Sequence, residues 1–465
     1  MNSDKLSVST YTEAQHGQIQ GHEVVRLTSR PASSLKLGLQ RQCLWQTLVD
    51  DVPRYLALAQ DEKVDVCIIG AGFTGLSAAL HLAEYGKKVC VLEAHAVGEG
   101  GSGRNVGLVN AGTWARPDDL NTYLGDEVGE KLTTALGQAP KLVFSIIDKY
   151  NIDAQDTRTG NLHMAHNAIG EADVDIRYQQ LTRRGVPVEV LTGAKCHEYC
   201  GTTKINKALL DKRAGTVNPY AYVTGLAKAA TQNGAKIYEK TPVQQISGQQ
   251  GQWVVHSGEH TVTADNVIIA TNAYTEGEWT DIKKTFYFVE YYQIASEPLS
   301  GAVADRILPY RNGSWDTRMA LSSIRRDKDG RLLLGTVGSA TGKPQQFFVS
   351  WANHVQKHYF PDLPKFNWQY EWCGKFGFTK DHIMRVFEPA PGILAATAYN
   401  GRGITTGTMF GKAFADYIMQ GDKTYVPLPF KNLDDSLVSL RGWRSWFTEA
   451  GLTLYHAGQS LKIIP

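Results

Sequence analysis

Charge of one sign is what this 465-residue sequence most plainly lacks. Lysine plus arginine number 48 against 46 aspartates and glutamates, a formal charge of +2, and no block of like charge stands out. That balance gives a nucleic-acid partner no support. Long apolar runs are missing as well, since no stretch approaches the roughly 18–20 residues that a spanning helix needs. The opening residues MNSDKLSVSTYTEAQHGQIQGHE show no basic start followed by an apolar core. The expectation is therefore no secretory signal, a polar tail over 1–39, and a soluble, cytoplasmic protein. Cysteine is sparse, with six residues scattered at Cys43, Cys67, Cys90, Cys196, Cys200 and Cys373. Such usage reads as reduced thiols, not a disulfide framework. Cys196 and Cys200 bracket His197 and Glu198, but no second pair at finger-like spacing follows, so a loop with two thiols is expected and no metal site. No internal repeat or low-complexity tract appears, which excludes a solenoid. Neither a Ser-His-Asp order nor a paired-carboxylate spacing is evident.

What is present is an ordinary globular composition, 42% apolar and 10% aromatic, long enough for two domains. The first regular unit opens at VDVCIIGAGFTG. Val64 to Ile69 is a continuous β-branched run, the pattern of a strand buried on both faces. Gly75 to Tyr85 follows at helical spacing and Gly86 ends it; Lys88 to Glu93 is a second buried strand. Within this βαβ unit Gly70 makes a tight turn, Gly72 lets a pyrophosphate approach the backbone, and Gly75 permits close helix-to-strand packing. The helix start, with Phe73 and Thr74, presents free N–H groups and a positive dipole end to the phosphates. Glu93, followed by Ala94, closes the second strand, where a carboxylate accepts both ribose hydroxyls and disfavours a 2′-phosphate. These residues alone leave NAD and FAD open. The loop GEGGSGRNVG sets Gly101, Ser102, Arg104, Asn105 and Gly107 directly after that strand, a second set of donors that suits the longer FAD.

Further along, Pro219 to Asn233 reads as a helix, GAKIYEKTPVQQI as an interrupted strand, and QWVVHS, HTVTA and NVIIAT as a meander. FYFVEYYQIAS and RLLLG read as antiparallel strands with one wet face, and 350–360 as helix. The lead-in packs on the body through Leu44, Trp45, Leu48 and Tyr55. Parallel βαβ structure interleaved with an antiparallel meander predicts an α/β protein of two interwoven domains.

CIIGAGFTGLSAALHLAEYGKKVCVLEA followed by GEGGSGRNVGLVNAG resembles the FAD-binding start of the D-amino-acid oxidase superfamily. So do RAGTVNPYAYVTGLAKAATQNGAKIYEKTPVQQI, ADNVIIATNAYT and WCGKFGFTKDHIMRVFEPAPGILAATAYNGRGITTGTMFGKAFADYI. Within it the chain is most similar to bacterial γ-glutamylputrescine oxidases and to L-pipecolate and sarcosine oxidases. The resemblance implies a Rossmann-like FAD-binding domain of glutathione-reductase type (40–120, 205–280 and 373–430) interleaved with an antiparallel-sheet substrate domain (121–204 and 281–372). It also implies oxidation of the C–N bond of a small amine or amino acid to an imine by hydride transfer to flavin. Alternatives are a dehydrogenase of the same fold passing electrons to a quinone or partner protein, and a non-catalytic flavin-binding subunit. By the same resemblance Val243 holds the adenine through its backbone, and Thr271, Asn272 and Ala273 form the second dinucleotide motif. Gly401, Arg402, Gly403, Ile404 and Thr405 form the turn into the last helix, whose N–H groups face the flavin.

Substrate contacts are expected from Glu290, Tyr291, Tyr292, Arg318, Arg325 and Arg326, with Arg402 near the flavin, because aromatic faces suit a cationic amine and guanidinium suits a carboxylate. Three departures stand out. Thr405 takes the place of the carboxylate-binding lysine of sarcosine oxidases, and the oxygen-activating lysine is missing from RLLLG. Cys373 is offset by one residue from the cysteine that carries covalent flavin there, so FAD is expected without a covalent link. Residues 431–465 read as a C-terminal amphipathic helix carrying Leu440, Trp443, Trp446, Phe447 and Leu454 beside Arg441 and Arg444. Through 436–455 such a helix could meet a membrane surface, another subunit or the body itself.

Overall fold

The computed structural model describes residues 15–19, 22–26, 39–275, 280–318, 320–340, 343–438, 451–453 and 455–456. Glu62–Ile69 forms the first long strand, and its last four residues are buried. The following helix, Phe73–Glu84, starts two residues earlier than the glycine spacing predicts and is buried from Phe73 to Ala83. Such enclosure requires close neighbours on both sides. One is the sheet; the other is the last long helix, Gly403–Gln420. A Cβ at Gly411 would stand 2.4 Å from the Thr74 carbonyl oxygen and 2.7 Å from Ser77 Cβ, so the two helices touch backbone to backbone where that glycine lies.

The nucleotide-side sheet runs in the order Lys236–Tyr238, Val89–Leu92, Glu62–Ile69, His260–Ile269, Ile393–Thr397, all parallel, with Arg385–Ala390 antiparallel at the far edge. HTVTA and NVIIAT are one strand, not two. Its first half pairs with Gln252–Ser257 and its end with Ile393–Thr397, while Glu62–Ile69 follows its other edge. Strand Gln245–Gln249 completes that antiparallel flap.

A second eight-stranded sheet has the order Trp368–Phe378, Tyr287–Ser296, Leu332–Val337, Ser322–Arg326, Gly313–Asp316, Asn161–Met164, Lys207–Asp211, Val188–Thr192. Every pairing is antiparallel except that of Gly313–Asp316 with Asn161–Met164. One face packs on helix Gln345–Tyr359, where Tyr292, Ile294, Leu332 and Leu334 meet Phe348, Trp351 and Val355. The other face is free to line a cleft. Two domain limits move accordingly: Lys207–Asp211 joins this sheet despite falling in 205–280, and Trp368–Phe378 runs across residue 373.

Leu44 and Trp45 are buried in the main core, with Leu48 and Tyr55 against it. Cys196 to Cys200 lies on helix Gly193–Cys200, not in a loop, with the two sulfurs buried 3.9 Å apart. Among the described residues no group of His, Cys, Asp or Glu could hold a metal ion, and no helix is long and apolar enough to cross a membrane. The apolar C-terminal residues Leu440, Trp443, Trp446, Phe447 and Leu454, with Arg441 and Arg444, lie outside the described residues.

Candidate active site

A cleft of about 1580 Å³ separates the two sheets. At one end lies the glycine turn. Gly70 has φ +103°, a conformation open to glycine. A Cβ at Gly75 would sit 2.0 Å from the Gly70 carbonyl oxygen, and one at Gly72 2.8 Å from Ser102 Oγ. Ser102 Oγ accepts the Phe73 N–H at 3.1 Å, tying the second glycine loop to the first. Glu93 accepts the N–H groups of Ala71 (2.8 Å) and His95 (3.0 Å). Burial raises its pKa above the usual carboxylate value, with those two N–H bonds pulling the other way.

Farther along, the short helix Gly101–Arg104 is pinned by Asn105, whose Nδ2 donates to the carbonyls of Ser102 (2.7 Å) and Gly101 (3.2 Å). The Arg104 side chain donates to Tyr274 Oη at 3.4 Å. Asn272 Oδ1 accepts from the Ala398 N–H (3.0 Å) and Thr397 Oγ1 (2.9 Å), bracing the exit of one strand against the next. Gly401 and Gly403 reach the same space at the start of helix Gly403–Gln420. A slot this long, edged by glycines where a Cβ would collide and by a helix N-terminus at each end, fits a dinucleotide carrying an extended aromatic group.

Gly70, Gly72, Phe73, Thr74, Glu93, Ala94, Gly101, Ser102, Arg104, Asn105, Val243, Thr271, Asn272, Gly401 and Gly403 all line the cleft. Gly75, Gly107, Arg402, Ile404 and Thr405 do not. Gly75 and Gly107 are packing glycines: a Cβ at Gly107 would meet Arg325 Nη1 at 2.1 Å. Ile404 and Thr405, in the first turn of helix Gly403–Gln420, are buried against the body.

The expected substrate contacts divide by strand parity. Tyr287, Val289, Tyr291 and Gln293 face the cleft, and Tyr291 donates to Ser323 Oγ at 2.8 Å. Glu290 and Tyr292 therefore turn to the opposite face. Tyr292 stacks on Phe348 with ring centroids 3.7 Å apart and donates to Glu371 at 2.7 Å. Arg325 is a buried strap, bonding the carbonyls of Val106 (2.9 Å) and Val217 (2.8 Å) and lying over Trp45. Arg326 pairs with Asp305. Arg402 is screened from the cleft: its guanidinium lies 4.7 Å from the Trp114 ring and 5.3 Å from Trp315, and donates to the Ala111 carbonyl at 2.8 Å. Burial, with Arg177 nearby, pushes its pKa down to about 9. Cys373 lines a separate cavity beside Tyr292 and Trp372. Of the six proposed substrate-side residues, Tyr291 and Arg318 reach the cleft.

Several lining residues carry no motif in the sequence. Trp114, His163 and Trp315 form an aromatic wall, His163 stacking on Trp315 at 5.3 Å and Trp114 meeting it edge-on at 6.2 Å. Burial, then the charges of Arg177 and Arg402, drive the His163 pKa well below 6.5, so its imidazole is neutral. Beside the wall Asp316, with no exposed side-chain surface, accepts from Arg318 Nη1 (2.7 Å), Tyr359 Oη (2.8 Å) and the Ser322 N–H (3.0 Å). Arg318 is thus held at the cleft edge by a buried carboxylate. Lys375 lines the cleft too, its ammonium 4.7 Å from the Tyr274 ring. Period-two alternation in GSWD and NLHM was the one available signal for Trp315 and His163.

A nucleotide corner and an antiparallel sheet opening onto one cleft define the class of two-domain, FAD-dependent oxidoreductases. The chain belongs to the DAO family, described as FAD dependent oxidoreductase, whose model matches residues 65–417. It is 31% identical over 372 residues to the probable oxidoreductase OrdL of Haemophilus influenzae, covering 79% of this chain and 85% of that one. Over 363 residues it is 31% identical to the gamma-glutamylputrescine oxidoreductase of Escherichia coli, covering 77% and 84%. Glycine oxidase from Geobacillus kaustophilus shares the fold with a TM-score of 0.65 at 20% identity, over 81% of this chain and 99% of that one. FAD is the cofactor, and the protein is an enzyme of the amine and amino-acid oxidoreductase kind.

Proposed function

We propose that this enzyme oxidises the C–N bond of a small amine that also bears a carboxylate, a γ-glutamyl diamine or a secondary amino acid, to the imine. One observation carries the reading: a single cleft joins the Gly70–Glu93 corner to the Trp114–Trp315 wall and to Arg318. When bound, FAD supplies a two-electron acceptor for the carbon beside nitrogen. The N–H groups at the start of helix Phe73–Glu84 would hold its pyrophosphate, Glu93 its ribose, the Val243 backbone its adenine, and Ser102 to Asn105 with Gly401 and Gly403 its remaining length. Aromatic faces of Trp114, Trp315 and Tyr291 receive the amine and exclude water. Arg318, whose Nη1 is held by Asp316 and Tyr359, offers the rest of its guanidinium to the carboxylate.

Anaerobic mixing with γ-glutamylputrescine, pipecolate, proline, sarcosine and putrescine tests this. Bleaching of the visible flavin band by a carboxylated amine is expected, and hydrogen peroxide on admitting air identifies oxygen as acceptor. A flavin that stays oxidised across the whole panel refutes the proposal.

A pH dependence follows from the histidines on and beside the cleft. Burial is the leading cause that holds His163, His166 and His382 below 6.5 and brings His358 down to about 4. None of them then gains or loses a proton above neutrality, and the titrating group is the substrate ammonium, which must lose its proton. The expected kcat/KM rises with pH, and its apparent pKa moves when the amine is exchanged for one of different basicity. A fixed value near 6.5 that vanishes in His163→Gln contradicts this.

A further inference from the structure

The family match ends at residue 417, yet part of the cleft wall comes from beyond it. Gly451, Leu452 and Tyr455 line the same space as Trp315 and Arg318. Their position is fixed by the next residue. His456 is 1% exposed, its Nε2 donates to the Val337 carbonyl at 2.7 Å, and its ring meets Trp351 edge-on at 5.9 Å. Val337 ends the strand paired with Tyr291, and Trp351 is core to the helix behind the substrate sheet. The anchor therefore ties the C-terminal segment to the scaffold that carries the cleft. Leu452 is 9% exposed, so its contact with the cleft is made from a packed position. Tyr455 lines the cleft together with Arg318, on the side of the proposed carboxylate subsite.

We propose that Leu452 and Tyr455 determine substrate specificity, forming the wall that sets how long a carboxylate-bearing tail the cleft accepts, with His456 as the positioning residue that holds them. The inference rests on the reading of the cleft as a carboxylated-amine site. Its physical basis is ordinary pocket discrimination. An apolar wall distinguishes chains differing by a methylene by about tenfold or more, and a buried hydroxyl that bonds substrate discriminates further. Residues contributed from outside the matched family region can set that length without disturbing the flavin corner.

The test compares holoenzymes of the unaltered protein, Leu452→Ala, Leu452→Trp, Tyr455→Phe and His456→Ala. Each is mixed anaerobically with glycine, γ-aminobutyrate, ε-aminocaproate and γ-glutamylputrescine, and with putrescine as a carboxylate-free amine. The rate of flavin bleaching is followed against concentration, and the flavin absorption spectrum reports cofactor loading. Opposite changes of about tenfold are expected in the long-to-short ratio of kcat/KM for Leu452→Ala and Leu452→Trp, carried mainly by KM. His456→Ala should flatten the ratio, and Tyr455→Phe should raise KM more for carboxylated substrates than for putrescine. Should His456→Ala fail to fold, the two Leu452 variants decide. Length ratios unaltered in both Leu452 variants, with full flavin reduction, overturn the specificity role and leave the amine-oxidation reading intact. Absence of bleaching by every amine in the unaltered protein removes both.

Discussion

Gly75→Val is expected to yield a protein that retains little flavin. The ideal Cβ at this position lies 2.0 Å from the Gly70 carbonyl oxygen and 3.1 Å from Ile68 Cγ2. The closer of these is backbone, so no rotamer change relieves the clash; either helix Phe73–Glu84 retreats from its strand or the turn at Gly70 opens. Overpacking of this kind costs about 1–3 kcal/mol. The cofactor suffers as well, because both movements displace the N–H groups of Gly72 to Thr74 from the cleft. A loss of about 3 kcal/mol in FAD binding corresponds to roughly a hundredfold. Flavin absorbance relative to protein absorbance after purification, and titration of the apoprotein with FAD, measure the effect. Gly301→Val is the control, since a Cβ there meets nothing within 4 Å and full loading is expected. Stoichiometric FAD in Gly75→Val would show that the helix start does not position the cofactor.

This glycine corner was legible because its constraints are local. A strand, a tight turn and a helix N-terminus each impose a residue type at fixed spacing, and Glu93 follows at the end of the next strand. The substrate side is not local. Tyr291 and Tyr292 are adjacent and chemically alike, yet one lines the cleft and the other stacks on Phe348; a single residue of register decides between them. FYFVEYYQIAS offers apolar or aromatic groups on both faces, so alternation did not reveal which one is wet. Arginines were harder still. Arg318, Arg325 and Arg402 are all buried, and what separates them is the group each one bonds. Arg318 has the Asp316 carboxylate, Arg325 has backbone carbonyls, and Arg402 lies behind two tryptophans. Asp316 precedes Arg318 by two residues, but nothing in that spacing announces a buried pair. Lys207–Asp211 falls in the range expected for the FAD-binding domain yet pairs in the other sheet for a related reason: a short apolar run fits either core until its partners are known.

The buried pair supplies the second large effect, in which stability and substrate binding separate. Asp316 accepts four hydrogen bonds, from the Arg318 N–H, the Ser322 N–H, Arg318 Nη1 and Tyr359 Oη. In Asp316→Asn one acceptor oxygen becomes an NH2 donor confronting other donors, and the Arg318 guanidinium, with 8% exposed side chain, loses its counter-charge. Breaking a buried pair from one side costs about 3–5 kcal/mol, read as a lower midpoint in urea. Arg318→Met removes the opposite partner, but the carboxylate keeps the donors of Ser322, Tyr359 and its own chain, so the loss of stability is smaller. The kinetic order is the reverse. Arg318→Met deletes the proposed carboxylate clamp, and charged hydrogen bonds worth about 1.5–3 kcal/mol predict a rise in KM of roughly 10- to 100-fold for γ-glutamylputrescine. Oxidation of putrescine, which has no carboxylate, should change little. Asp316→Asn leaves the guanidinium present but unmoored, so its KM should rise less than that of Arg318→Met. Equal KM effects of Arg318→Met on carboxylated and uncarboxylated amines would mean that the Asp316–Arg318 pair supports the sheet and takes no part in holding substrate.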